Sequence, residues 1–354
     1  MKALVYNKDF EQKIQLCERK IPQIIHPKDA IVKVTKSTIC TSDLHIINGL
    51  VPRANNNIIL GHEFVGEIFQ TGNDVKTLLK GDRVSANCET FCGECYFCKR
   101  GYINNCENGG WELGCRIDGC QAEYIRVPYA DNTLTKLPDN VTDRNALFVG
   151  DILSSGYFGA EMCEIKQGDT IAVIGCGPVG LCAMICAKIL GASKIIAIDI
   201  NNSRLNIAKS QNLADTYLNP NDCDIEKEVK TLTQNRGADG VIEAAGGCKK
   251  TQLGEESTFD TAWKIARPNA IVGVVAMYET DQILPLPQMY GKNLTFKTGG
   301  VDAIHCKKLI ELISQGKINT DFLVTHSFPL KDILKAYKLF EQKQDNCIKV
   351  EITY

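Results

Sequence analysis

The chain has 354 residues, of which 40 are Lys or Arg and 42 are Asp or Glu, so its formal net charge is −2. This length favours two domains, and the near balance of charge gives no sign of nucleic acid or an anionic membrane as a partner. The N-terminus lacks the apolar stretch of a secretory signal, and apolar runs such as 178–187 and 271–277 are too short to cross a bilayer. We therefore expect a cytoplasmic protein.

The first region, residues 1 to about 150, contains short β-like runs that glycines and prolines interrupt, which is typical of an irregular, partly β domain. The runs are 30–34, 63–68 and 122–127. Single residues of chemical interest here, such as Cys40 and His62, each have an ordinary interpretation, because a lone cysteine is most often buried. Asp151, at the end of the region, could simply cap the helix that follows it.

Seventeen cysteines are many for this length, and in a chain without a signal sequence clustered cysteines more often bind metal than form disulfides. Cys92, Cys95, Cys98 and Cys106 are spaced C-x2-C-x2-C-x7-C, so four thiolates can converge on one tetrahedral zinc in a closed structural site. A disulfide-linked or reduced knot and an iron–sulfur cluster are the alternatives. Cys88 lies just outside the pattern and is unassigned. Buried thiols are predicted for the scattered cysteines, namely Cys17, Cys163, Cys182, Cys186 and Cys347.

The second region, from Thr170 to about Thr298, alternates apolar strands with helix-length segments. That alternation predicts parallel strands with crossover helices, a doubly wound α/β sheet. The predicted strands are 170–175, 194–200, 240–245, 271–276 and 294–298, and a helix is predicted over 303–315.

A glycine-rich turn follows the first of these strands, spaced G-x-G-x-x-G from Gly175 through Pro178 and Val179 to Gly180. Gly175 permits the tight turn, Gly177 lets backbone approach a pyrophosphate, and Gly180 lets the next helix pack on the strand. The N-terminus of that helix offers unpaired N–H groups to phosphates. The pattern therefore predicts a dinucleotide site.

Asp199 ends the next strand, where a carboxylate accepts hydrogen bonds from both ribose hydroxyls and repels a 2′-phosphate. NAD is therefore favoured over NADP. Arg204 could meet the ribose from the other side, and it could also tolerate a 2′-phosphate. A glycine turn beside a solvated aspartate, without a cofactor, is the alternative interpretation.

Taken together and in this order, the motifs resemble those of the medium-chain zinc alcohol dehydrogenases over the whole chain. They are Cys40-x-Ser42-x-x-His45, Gly61-His62-Glu63-x-x-Gly66, the four-cysteine lobe and the glycine turn. The resemblance implies a GroES-like, mainly β catalytic domain from residues 1–153 and 297–354, with a structural zinc lobe at about 88–108. It also implies a Rossmann NAD-binding domain at 154–296, and a homo-oligomer, with a homotetramer favoured over a dimer.

The resemblance assigns roles residue by residue. Cys40, His62 and Asp151 match the protein ligands of a catalytic zinc that leaves a fourth position for the substrate. Glu63 matches the neighbouring acid that can coordinate when that position is empty. The family pattern thus implies two zinc ions per chain, one catalytic and one structural.

The remaining matches concern the proton and the cofactor. Ser42 matches the hydroxyl that takes the alcohol proton, and His45 the imidazole that passes it to solvent through the cofactor ribose. Ser155 matches a hydroxyl residue beside the nicotinamide. The sequence between Asp199 and Arg204 is similar to the ribose-binding turn of members that use NAD(H).

The third zinc ligand distinguishes branches of the family. Many liver-type members have a second cysteine there, whereas Asp151 resembles the branch of microbial secondary-alcohol dehydrogenases and glutathione-independent formaldehyde dehydrogenases. Those microbial enzymes prefer NADP and lack the four-cysteine lobe, while this chain has the lobe and Asp199. We therefore predict hydride transfer between a small, secondary alcohol and NAD, giving the ketone or aldehyde.

Three alternatives remain at this point. A polyol or diol dehydrogenase, butanediol- or sorbitol-like, and a formaldehyde dehydrogenase would share every ligand named above. Among pocket residues, motif position indicates only Trp111 as a wall, with an ordinary loop aromatic as the competing interpretation. From another class, the chain could be a non-catalytic NAD-binding regulator. A regulator would not need all of the predicted zinc ligands and proton-relay residues, and the chain retains all five. They are Cys40, Ser42, His45, His62 and Asp151.

Overall fold

The computed structural model describes residues 1–251 and 254–354. They form two compact units, which we call the discontinuous unit (Met1–Ser154 and Asp302–Tyr354) and the continuous unit (Ser155–Val301). The strands are β1 (Lys2–Tyr6), β2 (Ile14–Glu18), β3 (Ala30–Thr38), β4 (Ile58–Ile59), β5 (Phe64–Thr71), β6 (Arg83–Ala86), β7 (Tyr124–Val127), β8 (Leu134–Lys136), β9 (Thr170–Ile174), β10 (Lys194–Ile198), β11 (Thr216–Leu218), β12 (Ala238–Glu243), β13 (Cys248–Thr251), β14 (Gly254–Ser257), β15 (Ala266–Val274), β16 (Thr295–Thr298), β17 (Val324–Pro329) and β18 (Lys349–Thr353). The helices are α1 (Thr41–Ile47), α2 (Ala130–Thr133), α3 (Asp143–Ala146), α4 (Ser154–Met162), α5 (Pro178–Leu190), α6 (Asn202–Ser210), α7 (Ile225–Leu232), α8 (Thr258–Ile265), α9 (Leu286–Met289), α10 (Cys306–Ser314) and α11 (Ile333–Glu341).

The continuous unit is built on a six-stranded sheet in the order β11-β10-β9-β12-β15-β16. Every pairing in it is parallel. The order reverses between β9 and β12, which is the pattern of a doubly wound sheet. Strands β9 and β10 are buried along nearly their whole length, because parallel strands covered by helices need apolar residues on both faces. The predicted doubly wound α/β fold is confirmed.

The five strands predicted for this sheet are all present, and a sixth, β11, was missed. β11 has three residues, of which only Leu218 is buried, so it gives no apolar signal. β15 begins at Ala266, before the predicted start, because its first residues include exposed Pro268 and Asn269. The predicted helix over 303–315 is observed as α10.

The discontinuous unit is mainly β. A seven-stranded sheet runs β17-β18-β3-β5-β6-β8, with β7 paired to β3, and a three-stranded sheet runs β2-β1-β4. β18, from the second chain segment, pairs antiparallel with β3 from the first. The two segments therefore share one sheet, and the ends of β3 and β5 come within reach of residues from β18.

The scattered cysteines are mostly buried, as predicted: Cys163, Cys182, Cys186 and Cys347 all lie in the interior. Cys182 and Cys186 belong to α5, whose residues 180–187 are buried throughout. The prediction of a buried thiol was wrong for Cys17, which is only half-buried because β2 is an edge strand. Among the cysteines whose side chains the structure describes, none forms a disulfide.

No helix in the described ranges combines the length and the apolar character that a bilayer crossing requires.

Candidate metal and cofactor sites

Four side chains converge inside the discontinuous unit, and they come from three separate segments of backbone. Cys40 follows β3 and begins α1, and His62 and Glu63 precede β5. Asp151 lies in a π-helical turn, Val149–Leu153. A β-carbon at Gly150 would come within 1.7 Å of the Ala86 carbonyl oxygen, so only glycine lets this turn lie against β6. The Gly150-Asp151 pair is thus a structural requirement for the position of the carboxylate.

The ligand atoms of these four residues all lie within 4.8 Å of one another. Asp151 Oδ2 is 3.6 Å from Cys40 Sγ and 3.3 Å from His62 Nε2. Ligands of a tetrahedral zinc, at about 2.0–2.3 Å from the metal, are separated by about 3.3–3.8 Å. The separations therefore fit one shared ion.

The charges at this point also fit a cation. Burial and the neighbouring Asp151 raise the pKa of the Cys40 thiol. Burial alone would lower the pKa of His62, but hydrogen bonds to Asp151 and Asp43 outweigh it and hold that pKa well above the ordinary value. Glu63 Oε2 is buried, and no residue in the described part of the chain forms a hydrogen bond with it. A divalent cation would relieve this crowding of acceptors.

Asp43 is a member of the site that sequence reasoning missed. It is fully buried, and its Oδ1 lies 3.5 Å from His62 Nδ1, on the ring edge opposite Asp151. Its other oxygen accepts the Cys40 backbone N–H at 2.9 Å and the Gln121 amide at 3.3 Å. A carboxylate behind a ligating histidine fixes the ring tautomer and orientation. The signal was available, because an acid three residues after the helix N-cap is a capping pattern.

Lys349 is the second residue that was missed. Its ammonium donates to Glu63 Oε1 at 2.5 Å and to the Ile39 carbonyl at 3.0 Å, with Lys349 1% and Glu63 2% exposed. Burial raises the pKa of Glu63 to about 7, against the opposing effect of Lys349. The ion pair holds one Glu63 oxygen away from the converging ligands and leaves the other unpartnered.

Ser42 and His45 lie three residues apart on α1, which places them on one face of the helix. Ser42 Oγ is 3.6 Å from Cys40 Sγ. His45 Nδ1 is buried and has no hydrogen-bond partner within the two described ranges. Trp111 contacts the same centre, with its ring edge-on to His62 and 5.7 Å between centroids.

The four-cysteine cluster is compact and separate from this centre. Cys92 Sγ lies 3.6 Å from Cys106 Sγ and 3.9 Å from Cys98 Sγ, close to the separation that Zn–S bonds of about 2.3 Å give in a tetrahedron. These distances are far longer than the about 2.05 Å of a disulfide. A backbone N–H from Cys98 lowers the pKa of Cys95 to about 6, so that its thiolate is available near neutral pH. The donor set fits one structural ion.

A cavity of about 800 Å³ opens at the carboxyl ends of the parallel strands in the continuous unit. This edge is where doubly wound folds bind ligands. The glycine turn borders it, with Gly175 at φ +97° and Gly177 as the N-cap of α5, followed by Pro178, Val179 and Gly180. A β-carbon at Gly180 would lie 1.8 Å from the Gly175 carbonyl oxygen, so glycine is required for the helix to pack there.

Asp199 and Arg204 line the same cavity. Asp199 accepts the backbone N–H groups of Cys176 and Asn201, both at 2.7 Å, which leaves each carboxylate oxygen one lone pair for a ligand. A β-carbon on Gly177 would lie 3.7 Å from Arg204 Nη1, so the guanidinium lies close to the turn. Glu243, which sequence reasoning missed, accepts the backbone N–H groups of Ala245 and Gly246, both of which line the cavity. Ser155 lies half-buried at the start of α4.

Comparison with known proteins agrees with both halves of this description. Residues 26–139 match the family model of the alcohol dehydrogenase GroES-like domain, and residues 178–315 that of the zinc-binding dehydrogenases. The predicted GroES-like and Rossmann fold is thereby confirmed.

Individual relatives cover nearly the whole chain. An alcohol dehydrogenase of Cupriavidus necator is 37% identical over 99% of this chain and 98% of its own. An NADP-dependent isopropanol dehydrogenase of Thermoanaerobacter brockii is 33% identical over 91% and 92%. The solved alcohol dehydrogenase of Thermus sp. ATN1 matches 100% of this chain and 99% of its own, with 34% identity and a TM-score of 0.90. With the motif order and the two clusters of ligands described above, these matches identify the chain as a member of the zinc-dependent alcohol dehydrogenase family.

Proposed function

We propose that the protein transfers a hydride between a small, secondary alcohol and NAD, with one catalytic and one structural zinc ion per chain. The observation that carries the proposal is the convergence of Cys40 Sγ, His62 Nε2 and Asp151 Oδ2 on one buried point. A zinc ion held there would act as a Lewis acid that lowers the pKa of the alcohol, and NAD would supply the hydride acceptor. The four-cysteine cluster would hold the structural ion.

The chain's own residues would handle the proton. Ser42, beside Cys40, would accept the proton of the substrate hydroxyl, and His45, on the same face of α1, would pass it towards solvent. The unpartnered Nδ1 of His45 supports this role, because a buried ring nitrogen without a partner is available to one that arrives with the cofactor. Asp43 would hold the His62 ring, and Lys349 would keep Glu63 in place.

We expect Ser42→Ala to lower kcat by about 10²- to 10⁴-fold, the usual contribution of a positioned acid or base, while the zinc content stays the same. Thr41→Ala, at the exposed residue before it, is the matched control and should behave as the wild type. Steady-state kinetics and metal analysis give the answer. A Ser42→Ala protein that loses metal would show that the hydroxyl supports the site instead of relaying a proton.

The preference for NAD rests on Asp199. Its two free lone pairs can accept both ribose hydroxyls, and its charge opposes a 2′-phosphate. Relatives that use NADP exist in the family, among them the isopropanol dehydrogenase at 33% identity. Arg204 beside the glycine turn would bind the ribose or the pyrophosphate.

Asp199→Asn should reduce the ratio of kcat/KM for NAD to kcat/KM for NADP by about tenfold or more, which corresponds to about 1.4 kcal/mol. Asparagine keeps an acceptor for a backbone N–H but loses the charge and one acceptor. Asp281→Asn, at an exposed aspartate of the same unit, controls for a general effect of charge. An unaltered ratio in Asp199→Asn would remove the basis for NAD preference.

The broader proposal includes the finer features that the resemblance implies. We propose that Asp151 places the protein in the branch with an aspartate as third zinc ligand, that it is cytoplasmic, and that it assembles as a homotetramer. The discontinuous unit would be the catalytic domain and the continuous unit the NAD-binding domain.

One experiment tests the function as a whole. The purified protein is assayed at 340 nm with NAD and with NADP against primary alcohols, secondary alcohols, diols, polyols and formaldehyde, and its zinc is counted. We expect about two zinc ions per chain and NADH formation with secondary alcohols. A protein that binds NAD but holds one zinc ion and oxidises no alcohol would be a non-catalytic binder.

A further inference from the structure

Glu89 Oε2 and Trp111 Nε1 are further buried polar atoms near the predicted catalytic centre, and neither has a hydrogen-bond partner among residues 1–251 and 254–354. Glu89 is 9% exposed, and neither side chain is used by the mechanism above. Leaving a buried donor or acceptor unpaired is costly, so such atoms in a native protein need an explanation.

The local backbone brings the two residues together. Thr90 and Gly110 exchange backbone N–H···O=C hydrogen bonds of 3.0 and 2.7 Å, forming an antiparallel bridge. In that register Glu89 is opposite Trp111, and directly opposite residues of an antiparallel pair project to the same side. The bridge therefore holds the backbones of the two residues side by side.

Both residues also border the converging metal ligands. The Trp111 ring lies edge-on to the His62 ring, with centroids 5.7 Å apart. The backbone N–H of Cys88 donates to the Gly150 carbonyl at 3.0 Å, which ties the residue before Glu89 to the residue before Asp151. Burial raises the pKa of Glu89 to about 8, and the charge of Asp151 acts in the same direction. The chain next to Glu89 is therefore tied to the turn that carries Asp151.

The chemistry of the two atoms defines the ligand group. An indole N–H can only donate a hydrogen bond, and Glu89 Oε2 can accept one. A hydroxyl group does both at once, so a single hydroxyl can satisfy the pair. A hydroxyl group serves whether Glu89 is ionised or protonated, whereas a carbonyl group could serve both atoms only when Glu89 is protonated, and an alkyl group could serve neither.

We propose that Glu89 and Trp111 form a subsite for a second hydroxyl of the substrate, so that the enzyme prefers short vicinal diols over the matching mono-alcohols. The inference rests on the alcohol dehydrogenase function proposed above. In the reaction the carbinol C–H bond breaks and its hydride passes to NAD⁺, giving NADH. The proton of the reacting hydroxyl is released, the carbinol carbon becomes a carbonyl, and the second hydroxyl is unchanged in the hydroxyketone product.

The test compares kcat/KM for butane-2,3-diol, as separate stereoisomers, with kcat/KM for butan-2-ol. We expect the wild-type ratio of diol to mono-alcohol to exceed ten for at least one stereoisomer. Glu89→Met keeps the size of the side chain, Trp111→Phe keeps an aromatic ring, and each removes the polar atom. Each variant should lower this ratio about tenfold or more, because the second hydroxyl of the diol is then buried without one of its hydrogen-bond partners. Glu67→Gln, at an exposed glutamate on β5, is the matched control and should retain the wild-type ratio.

A second measurement does not depend on turnover. The chain has two tryptophans, so Trp263→Phe leaves Trp111 as the single indole fluorophore. Without NAD, butane-2,3-diol should change the emission of Trp111 in this background, and butan-2-ol at the same concentration should not. Adding Glu89→Met should abolish the diol response. If Glu89→Met fails to fold, as judged by circular dichroism and zinc content, Glu89→Leu replaces it in this background, and Trp111→Phe carries the kinetic comparison.

The outcomes separate the two levels of the proposal. A wild-type ratio near one, or a ratio that neither variant changes, overturns the hydroxyl subsite even if the protein oxidises alcohols well. A wild-type protein that carries two zinc ions and oxidises neither substrate with NAD or NADP overturns the proposed function itself.

Discussion

Replacing Cys40 by alanine is expected to remove one of two zinc ions and to lower alcohol oxidation by about 10³-fold or more. The converging site would then keep His62 and Asp151 as firm ligands, with Glu63 held by Lys349. A catalytic metal supplies several kcal/mol of charge stabilisation, and about 4 kcal/mol corresponds to a factor of 10³ in rate. Metal analysis by mass spectrometry and kcat/KM for the best alcohol measure the two effects.

The control for this prediction is Cys17→Ala, which removes a half-buried thiol from β2 in the same unit. It should keep about two zinc ions and wild-type kinetics. If Cys40→Ala also keeps two zinc ions and full activity, the three side chains do not share a catalytic ion, and the proposed function loses its main support.

Lys349→Met is expected to reduce the free energy of unfolding by about 3–5 kcal/mol, the usual cost of removing one partner of a buried ion pair. The cost arises because Glu63 would remain buried with neither oxygen carrying a hydrogen bond from a cation. Urea denaturation of the metal-loaded protein measures the change. Activity should fall as well, since an untethered Glu63 can occupy the position that the substrate requires.

Two further variants make this prediction specific. The double variant Lys349→Met with Glu63→Gln should recover part of the lost stability, because no unpaired charge is left in the interior. Lys335→Met removes a lysine of an exposed pair with Asp332 and should cost less than about 1 kcal/mol. Equal losses for Lys349→Met and Lys335→Met would contradict the role assigned to the buried pair.

The parts of the fold that were predicted are those in which local pattern and tertiary environment agree. The strands of the parallel sheet are apolar along their length because both faces are covered, so a sequence window detects them. β11 is too short for such a window, and β15 starts with residues whose strand conformation depends on pairing with β12. The pairing of β18 with β3 joins residues more than 300 positions apart, and periodicity holds no information about it.

The site divides in the same way. The four cysteines are close in sequence, so their spacing alone predicted a cluster. For Cys40, His62 and Asp151 the spacing predicts nothing, and their association was inferred only from resemblance to a family. Lys349 and Glu89 lie outside the recognised motifs, and their importance follows from burial and missing partners that only coordinates can provide.

The Lys349–Glu63 pair also joins two residues that are synthesised at very different times. The lysine is made 286 residues after the glutamate, which at the usual 5–20 residues per second is a delay of about 15–60 s. Throughout that interval Cys40, His62 and Glu63 are already outside the ribosome's peptidyl-transferase centre, yet the counter-charge that fixes the glutamate does not exist. A nascent chain can therefore carry these ligands without a finished site, because the site is complete only after the final strand has joined its sheet.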